Sequence, residues 1–247
     1  MTFRHRLREV AVVVLVTSGV LELAVVPMTA LGQSDPFVAL RSQMVEDQIR
    51  ARGVKEPGII RAMGEVPRHR FVPQSAQEWA YADSPVRIGS GQTISQPYIV
   101  ALMTSLLDLD GDDKILEIGT GSGYQAGVLS RLVAEVYTIE IRKALADEAE
   151  LILAELGYTN VHVIVGDGYR GLPEEQPFDG IIVTAAAERI PQPLIDQLKE
   201  GGKLVIPLGG YLQDLIVLTK TPDGVERQTV SPVRFVRMIG EVEEQQD

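Results

Sequence analysis

From Lys114 onward the chain alternates short apolar runs with longer stretches of helical periodicity. Lys114–Ile118, Val136–Ile139, Val161–Val165, Gly180–Val183 and Lys203–Pro207 are dominated by Val, Ile and Leu, with helical patterns between them. Runs of this kind suit strands buried on both faces, and their alternation with helices predicts βαβ units and a parallel sheet. Leu215–Thr219 and Val230–Val236 are separated by Pro222-Asp223-Gly224 and by no helical stretch, which predicts an antiparallel hairpin at one edge. The expected fold is therefore α/β and Rossmann-like, a mostly parallel sheet of seven strands with helices on both faces.

The region before it reads differently. Ala39 to Arg52 is helical up to Gly53, Pro57 opens a second helix with Ile59, Ile60 and Met63 on one face, and Pro67 and Pro73 break the chain into loops. A third helix is predicted over Tyr98–Leu109, from the spacing of Ile99, Leu102, Met103 and Leu106. Residues 33–110 form a helical N-terminal addition to a core at 111–240, and Glu241–Asp247 reads as a solvated acidic tail.

Residues 1–32 stand apart. Arg4, Arg6 and Arg8 precede a largely apolar run from Val10 to Val26, and Ala30-Leu31-Gly32 offers small residues at cleavage-like spacing, the pattern of a secretory signal. Glu9 and Glu22 interrupt the run and argue against a permanent membrane span. A mis-assigned start codon, or an N-terminal extension that never inserts, is the competing explanation.

Composition narrows the chemistry. With no cysteine and three histidines, thiolate zinc sites, cysteine nucleophiles and multi-histidine metal centres are disfavoured. A net charge of −11 argues against a nucleic-acid partner.

The most informative stretch is Leu116-Glu117-Ile118-Gly119-Thr120-Gly121-Ser122-Gly123-Tyr124, where the first core strand turns into a helix. Tyr124 stands where a dinucleotide fingerprint needs its third glycine, and no Gly-Lys-Ser/Thr follows to make a P-loop. Ser122 also lacks the flanking glycines of a hydrolase elbow. Glu140 closes the next strand, in place to accept both hydroxyls of a ribose, and Asp167 in Gly166-Asp167-Gly168 ends the third, in place for an adenine amino group. A glycine turn and two such carboxylates, without a pyrophosphate grip, describe an adenosine ligand lacking phosphates. S-adenosyl-L-methionine fits. Taken singly, the glycines make a tight turn and either acid a helix-start carboxylate.

Upstream, Gly91-Gln92-Thr93-Ile94-Ser95-Gln96-Pro97 leads into the third helix. Ser95 reads either as an N-cap hydroxyl or as a donor holding a substrate carboxylate beside a helix N-terminus.

That segment, the glycine loop, Gly166-Asp167-Gly168, Pro177-Phe178-Asp179 and Gln197-Leu198-Lys199-Glu200-Gly201-Gly202, in this order, closely resemble the protein-L-isoaspartate O-methyltransferase family, from about Met44 to Gly240. The resemblance implies a class I S-adenosylmethionine-dependent methyltransferase with Ser95 in the active site. It also implies cofactor contacts from Thr93, Ile94, Gly119, Gly121, Gly123, Glu140, Ile141, Asp167 and Gly168, and no metal. The implied acceptors are L-isoaspartyl residues of damaged proteins and peptides, esterified so that repair proceeds through a succinimide. A monomer without stable membrane association is the family expectation. One departure is local: the family's late Phe-Val-Pro-Leu appears as Phe235-Val236-Arg237-Met238.

Two other functions compete with this one: methylation of a different acceptor, and non-catalytic nucleoside binding. The motif Asn/Asp-Pro-Pro-Tyr, common in amino-group methylation of DNA bases, is absent after the fourth core strand, where Thr184-Ala185-Ala186-Ala187 follows Val183. Because adenosylmethionine is a cytoplasmic metabolite, the cytoplasm is the expected compartment, with export to the periplasm the alternative that the leader suggests. His69 and His162 are expected to be structural.

Overall fold

The structure, a computed structural model, describes residues 35–240; the leader and the acidic tail lie outside them. The chain divides into two units, Met1–Val38 and Ala39–Asp247, and the second contains every strand among the described residues.

The predicted helix before Gly53 is wound three ways: α1 (Phe37–Gln43) runs into a π-helical turn at Met44–Ile49 and a 3₁₀ turn at Arg50–Arg52. Gly53, at φ 97°, ends it in the left-handed conformation that glycine adopts without strain. Helix α2 (Pro57–Glu65) starts on its proline and buries Ile59, Ile60, Ala62 and Met63.

Next comes a two-stranded antiparallel sheet that the hydrophobic pattern did not predict: β1 (Val86–Gly89) and β2 (Gln92–Ile94). Its loop is Ser90-Gly91, both at positive φ (50° and 73°), as a tight hairpin turn requires. The Gln-Thr-Ile part of the motif is thus a strand. Helix α3 (Pro97–Ser105) is shorter than expected and buries Val100, Ala101, Met103 and Thr104; Ile99 and Leu102 are only half-buried. The apolar positions surround this short helix, so their spacing did not single out the buried stripe.

The main sheet has seven strands, as expected: β3 (Lys114–Ile118), β4 (Glu135–Glu140), β5 (Val161–Val165), β6 (Phe178–Val183), β7 (Leu198–Leu208), β8 (Gln213–Thr221) and β9 (Gly224–Val233). Helices α4 (Tyr124–Leu129), α5 (Lys143–Glu155) and α6 (Gln192–Asp196) lie between strands in the chain. The order across the sheet is β5-β4-β3-β6-β7-β8-β9, with β5 through β7 parallel and the last two antiparallel pairs forming a meander. Strand β9 starts at Gly224 directly after the turn, earlier than the predicted Val230, because its exposed face carries polar residues that hide a strand from hydrophobicity.

The core is built from Leu116, Ile118, Ile139, Ile181, Leu204 and Ile216 of the central strands, all nearly inaccessible, with Met238 packed against them from the C-terminal segment. From β3 the chain winds outward to β5, then crosses back to β6 on the other side of β3. This reversal opens a crevice at the carboxyl ends of β3 and β6, where such sheets bind ligands. Among the described residues no helix is long and apolar enough to cross a membrane.

Candidate active site

Two adjoining clefts open at that edge, of about 610 Å³ and about 420 Å³. They share Thr93, Gly119, Gly121 and Thr184. Glu140, Ile141 and Gly168 line the larger; Ile94, Ser95 and Glu117 line the smaller. Most of the expected site residues therefore converge. Two do not reach a cleft wall. Gly123, at φ 84°, is the residue before α4, where a side chain would press on Ala149 and Leu153 of α5. Asp167 accepts the Tyr169 N–H at 2.9 Å and so caps the turn Gly168–Arg170, with Gly240 packed on its carboxylate.

The glycine turn is held from three sides. Gly119 and Thr120 donate their N–H groups to the Ile139 carbonyl, at 2.8 and 3.2 Å. Gly121 donates to Glu140 Oε2 at 2.9 Å, and Arg142 donates to Oε1 at 2.9 Å. From the other side, Thr184 Oγ1 donates to the Gly119 carbonyl at 2.6 Å. Gly119 has φ 96°, and a Cβ there would come within 2.5 Å of Thr184 Oγ1, so glycine is required twice over. Each oxygen of Glu140 spends one acceptor position on backbone and keeps another for a ligand hydroxyl.

Beneath the turn lies an acid that sequence reading noted without assigning a role. Glu117 is 0% exposed; its Oε2 accepts from Thr138 Oγ1 at 2.7 Å, and Thr138 in turn bonds Thr120 Oγ1 at 2.7 Å. Its buried Oε1 has no hydrogen-bond partner, and the residue lines the smaller cleft. Burial pushes this carboxyl up to about 8, opposed by the Thr138 bond and reinforced by the charge of Glu140. Folded Glu117 holds its proton in a range where the unfolded chain has lost it, so stability falls as pH rises from about 4.5 to about 8. Glu117→Gln should flatten that fall, a difference on the order of a few kcal/mol by pH 8; urea melts of both proteins from pH 5 to 8.5 measure it, and parallel curves would refute it.

Ser95 is not the cap of α3. The cap position is Gln96, which makes no side-chain capping bond. The Ser95 hydroxyl has no hydrogen bond within the described residues, while its carbonyl accepts Arg68 Nη2 at 2.6 Å. Arg68 is itself 0% exposed, donates Nε to the Ala80 carbonyl at 2.6 Å, and lies 4.7 Å over the Tyr124 ring. Desolvation lowers it to about 10, still charged at neutral pH. This buried cation ties Ser95 to the helix that follows the glycine turn, and nothing in the spacing around Arg68 announced it. Thr184 and Arg142 were also missed as cleft residues, their sole signal being position after a strand end. The Phe235–Met238 segment, which the resemblance sets at an edge of the substrate cleft, contributes Val236, Arg237 and Met238 to the larger cleft, together with Ile239. His69 Nδ1 bonds the Tyr81 hydroxyl at 2.9 Å and His162 stacks on Tyr137 at 4.7 Å, both outside the clefts. Among the described residues no cluster of His, Asp and Glu could hold a metal ion.

A positive-φ glycine turn, a carboxylate at the end of the neighbouring strand and a second, buried carboxylate below, all at the sheet's carboxyl edge, define a class I S-adenosylmethionine-dependent methyltransferase. The model of the protein-L-isoaspartate(D-aspartate) O-methyltransferase family matches residues 39–243, and the chain belongs to that family. It is 53% identical over 207 residues to the protein-L-isoaspartate O-methyltransferase of a Picosynechococcus species, covering 84% of this chain and 93% of the relative. A solved protein-L-isoaspartate O-methyltransferase superposes with a TM-score of 0.76 at 30% identity, over 82% of this chain and 67% of that one. A second, from Plasmodium falciparum and described as a putative member in complex with S-adenosyl-L-homocysteine, gives 0.71 at 27% identity, over 81% and 98%. The chain is thus an S-adenosylmethionine-dependent enzyme that methylates L-isoaspartyl residues in protein repair.

The residues present fit that cofactor. The unpartnered Oε1 of Glu117, a residue of the smaller cleft, suits an ammonium group, and the spare acceptor positions of Glu140, a residue of the larger, suit the hydroxyls of a ribose.

Proposed function

We propose that Ser95 is the active-site residue of this reaction, and that the larger cleft takes the adenosine and the smaller the methionine end of the cofactor. The observation that carries this is Ser95: the residue lines the smaller cleft, and its hydroxyl does not cap the helix beside it. When bound, S-adenosylmethionine supplies an electrophilic methyl group on a sulfonium centre. The acceptor carboxylate is ionised at neutral pH, so the protein needs no general base and its few histidines are no handicap. Ser95 donates one hydrogen bond to the acceptor carboxylate and orients it. A single neutral donor holds the oxygen without quenching its nucleophilicity, and the work of the site is positioning. Arg68, through the Ser95 carbonyl, fixes that donor. Glu140, Ile141, Gly168 and the shared Thr93, Gly119 and Gly121 hold the cofactor, with Ile94 beneath it; Asp167 and Gly123 support the turns on either side.

The test is to incubate the full chain with methyl-labelled S-adenosylmethionine and a matched pair of peptides, one isoaspartyl and one aspartyl. Base-labile methyl ester on the isoaspartyl peptide alone is expected; equal labelling of both would overturn the acceptor assignment.

The protein acts as a monomer on isoaspartyl proteins and peptides, without nucleic acid, and works in the cytoplasm, where its methyl donor is made. Fractionation with N-terminal sequencing tests the compartment: a mature chain beginning near Gln33 outside the inner membrane places it in the periplasm instead.

A further inference from the structure

The segment that carries the departure from the family pattern forms one wall of the larger cleft. Its backbone is fixed on both sides of Arg237. Ala186 N–H donates to the Val236 carbonyl and Met238 N–H to the Ala186 carbonyl, each at 2.8 Å. Gln213 clamps Phe235, accepting its N–H at 2.6 Å and donating to its carbonyl at 3.2 Å. Met238 is buried in the sheet core at 5% exposure. Arg237 is left exposed on the cleft wall, where its Nη2 meets Glu188 Oε1 at 2.7 Å.

Both members of that pair are largely in solvent, at 59% and 43% side-chain exposure. Such an exposed pair contributes little, so exchanging Glu188 for another carboxylate costs almost nothing. The chain as a whole carries −11, and an anionic substrate approaches against that charge. Arg237 and Arg142 are the cations on the wall of the larger cleft among the described residues. Arg237 is ill suited to the carboxylate being methylated, because a guanidinium on the attacking oxygen would blunt it, and Glu188 holds the side chain aside. It suits a second carboxylate.

We propose that Arg237 is a specificity residue, which leaves Glu188 to bind a carboxylate flanking the isoaspartyl residue and so favours damaged sites in acidic sequence. This rests on the acceptor being an isoaspartyl carboxylate. Proline, the family's residue here, offers no such contact. It is also a clean replacement, because neither backbone bond around position 237 uses the Arg237 N–H.

The experiment compares wild type, Arg237→Pro, Arg237→Gln and Glu188→Gln on three isoaspartyl peptides. One has a flanking Glu and an amidated end, one a flanking Gln and an amidated end, and one a flanking Gln as its free C-terminus. The readout is kcat/KM for either acidic peptide divided by that for the neutral one, so any general loss of activity cancels. Both Arg237 variants should lower the ratio two- to fivefold through KM, and Glu188→Gln should raise it. High salt should erase the wild-type preference. Comparing the flanking-Glu with the free-terminus peptide shows which carboxylate is read. A ratio unmoved by Arg237→Pro overturns the proposal while leaving the acceptor assignment intact. Failure of wild type to esterify any of the peptides overturns the acceptor assignment itself.

Discussion

Ser95→Asp should retain the fold and lose about a thousandfold in kcat/KM. A second carboxylate about 4 Å from the acceptor costs on the order of 4 kcal/mol at the effective dielectric of a partly buried site, and each 1.4 kcal/mol is tenfold in rate. Ser95→Ala removes the donor without adding repulsion, and the loss of a hydrogen bond to a charged group, roughly 1.5–3 kcal/mol, predicts a ten- to hundredfold drop. The stability side of the experiment is sharper than the sequence allowed. Were Ser95 an N-cap, alanine would cost about 1 kcal/mol and aspartate nothing. Because α3 begins beyond Gln96 and Ser95 gives it no capping bond, neither substitution removes a helix contact. Melting temperature and methyl-ester formation on both variants decide the matter. An active Ser95→Asp enzyme removes Ser95 from the site.

Glu140→Ala should nearly abolish cofactor binding and also loosen the glycine turn. Its carboxylate is 6% exposed and accepts the Gly121 and Arg142 N–H groups. Losing two ribose bonds at roughly 1.5–3 kcal/mol each predicts at least a hundredfold weaker binding of S-adenosylhomocysteine. Two backbone donors also lose their acceptor, which adds a stability loss of about 1–3 kcal/mol. The ribose contact alone, which is all the sequence shows of Glu140, implies little loss of fold. Titration calorimetry and a thermal melt together separate the two effects, and unaltered affinity removes Glu140 from the ribose site.

The part of the site that was legible is the part carried by one segment at a time. Gly119 and Gly121 announce a turn at positive φ because no other residue reaches it cheaply. Glu140 announces itself because a parallel strand ends in a crevice, and the strand's apolar run fixes that end. Where a segment's role depends on a partner distant in the chain, the reading failed. Arg68 looked like one more basic residue in a loop, and only the approach of Ala80, Ser95 and Tyr124 makes it a buried brace. The β1–β2 hairpin was overlooked because its strands are too short to show a period. Asp167 stands just past a strand end, as read, and its Oδ1 also accepts the local Tyr169 N–H, a second task that the sequence did not show.

Hydrophobic periodicity by itself determined the seven-stranded, mostly parallel sheet and its antiparallel end, since burial on two faces demands continuous apolar runs whatever the neighbours are. The glycine spacing excluded a dinucleotide fingerprint and a P-loop, and only together with Glu140 and Asp167 did it point to an adenosine ligand. Only the tertiary structure decided the strand order, the freedom of the Ser95 hydroxyl, the raised Glu117 and the pairing of Arg237 with Glu188. The reason is physical: periodicity and turn propensity are local, whereas desolvation and hydrogen-bond partnership are set by whatever the fold brings within a few ångströms.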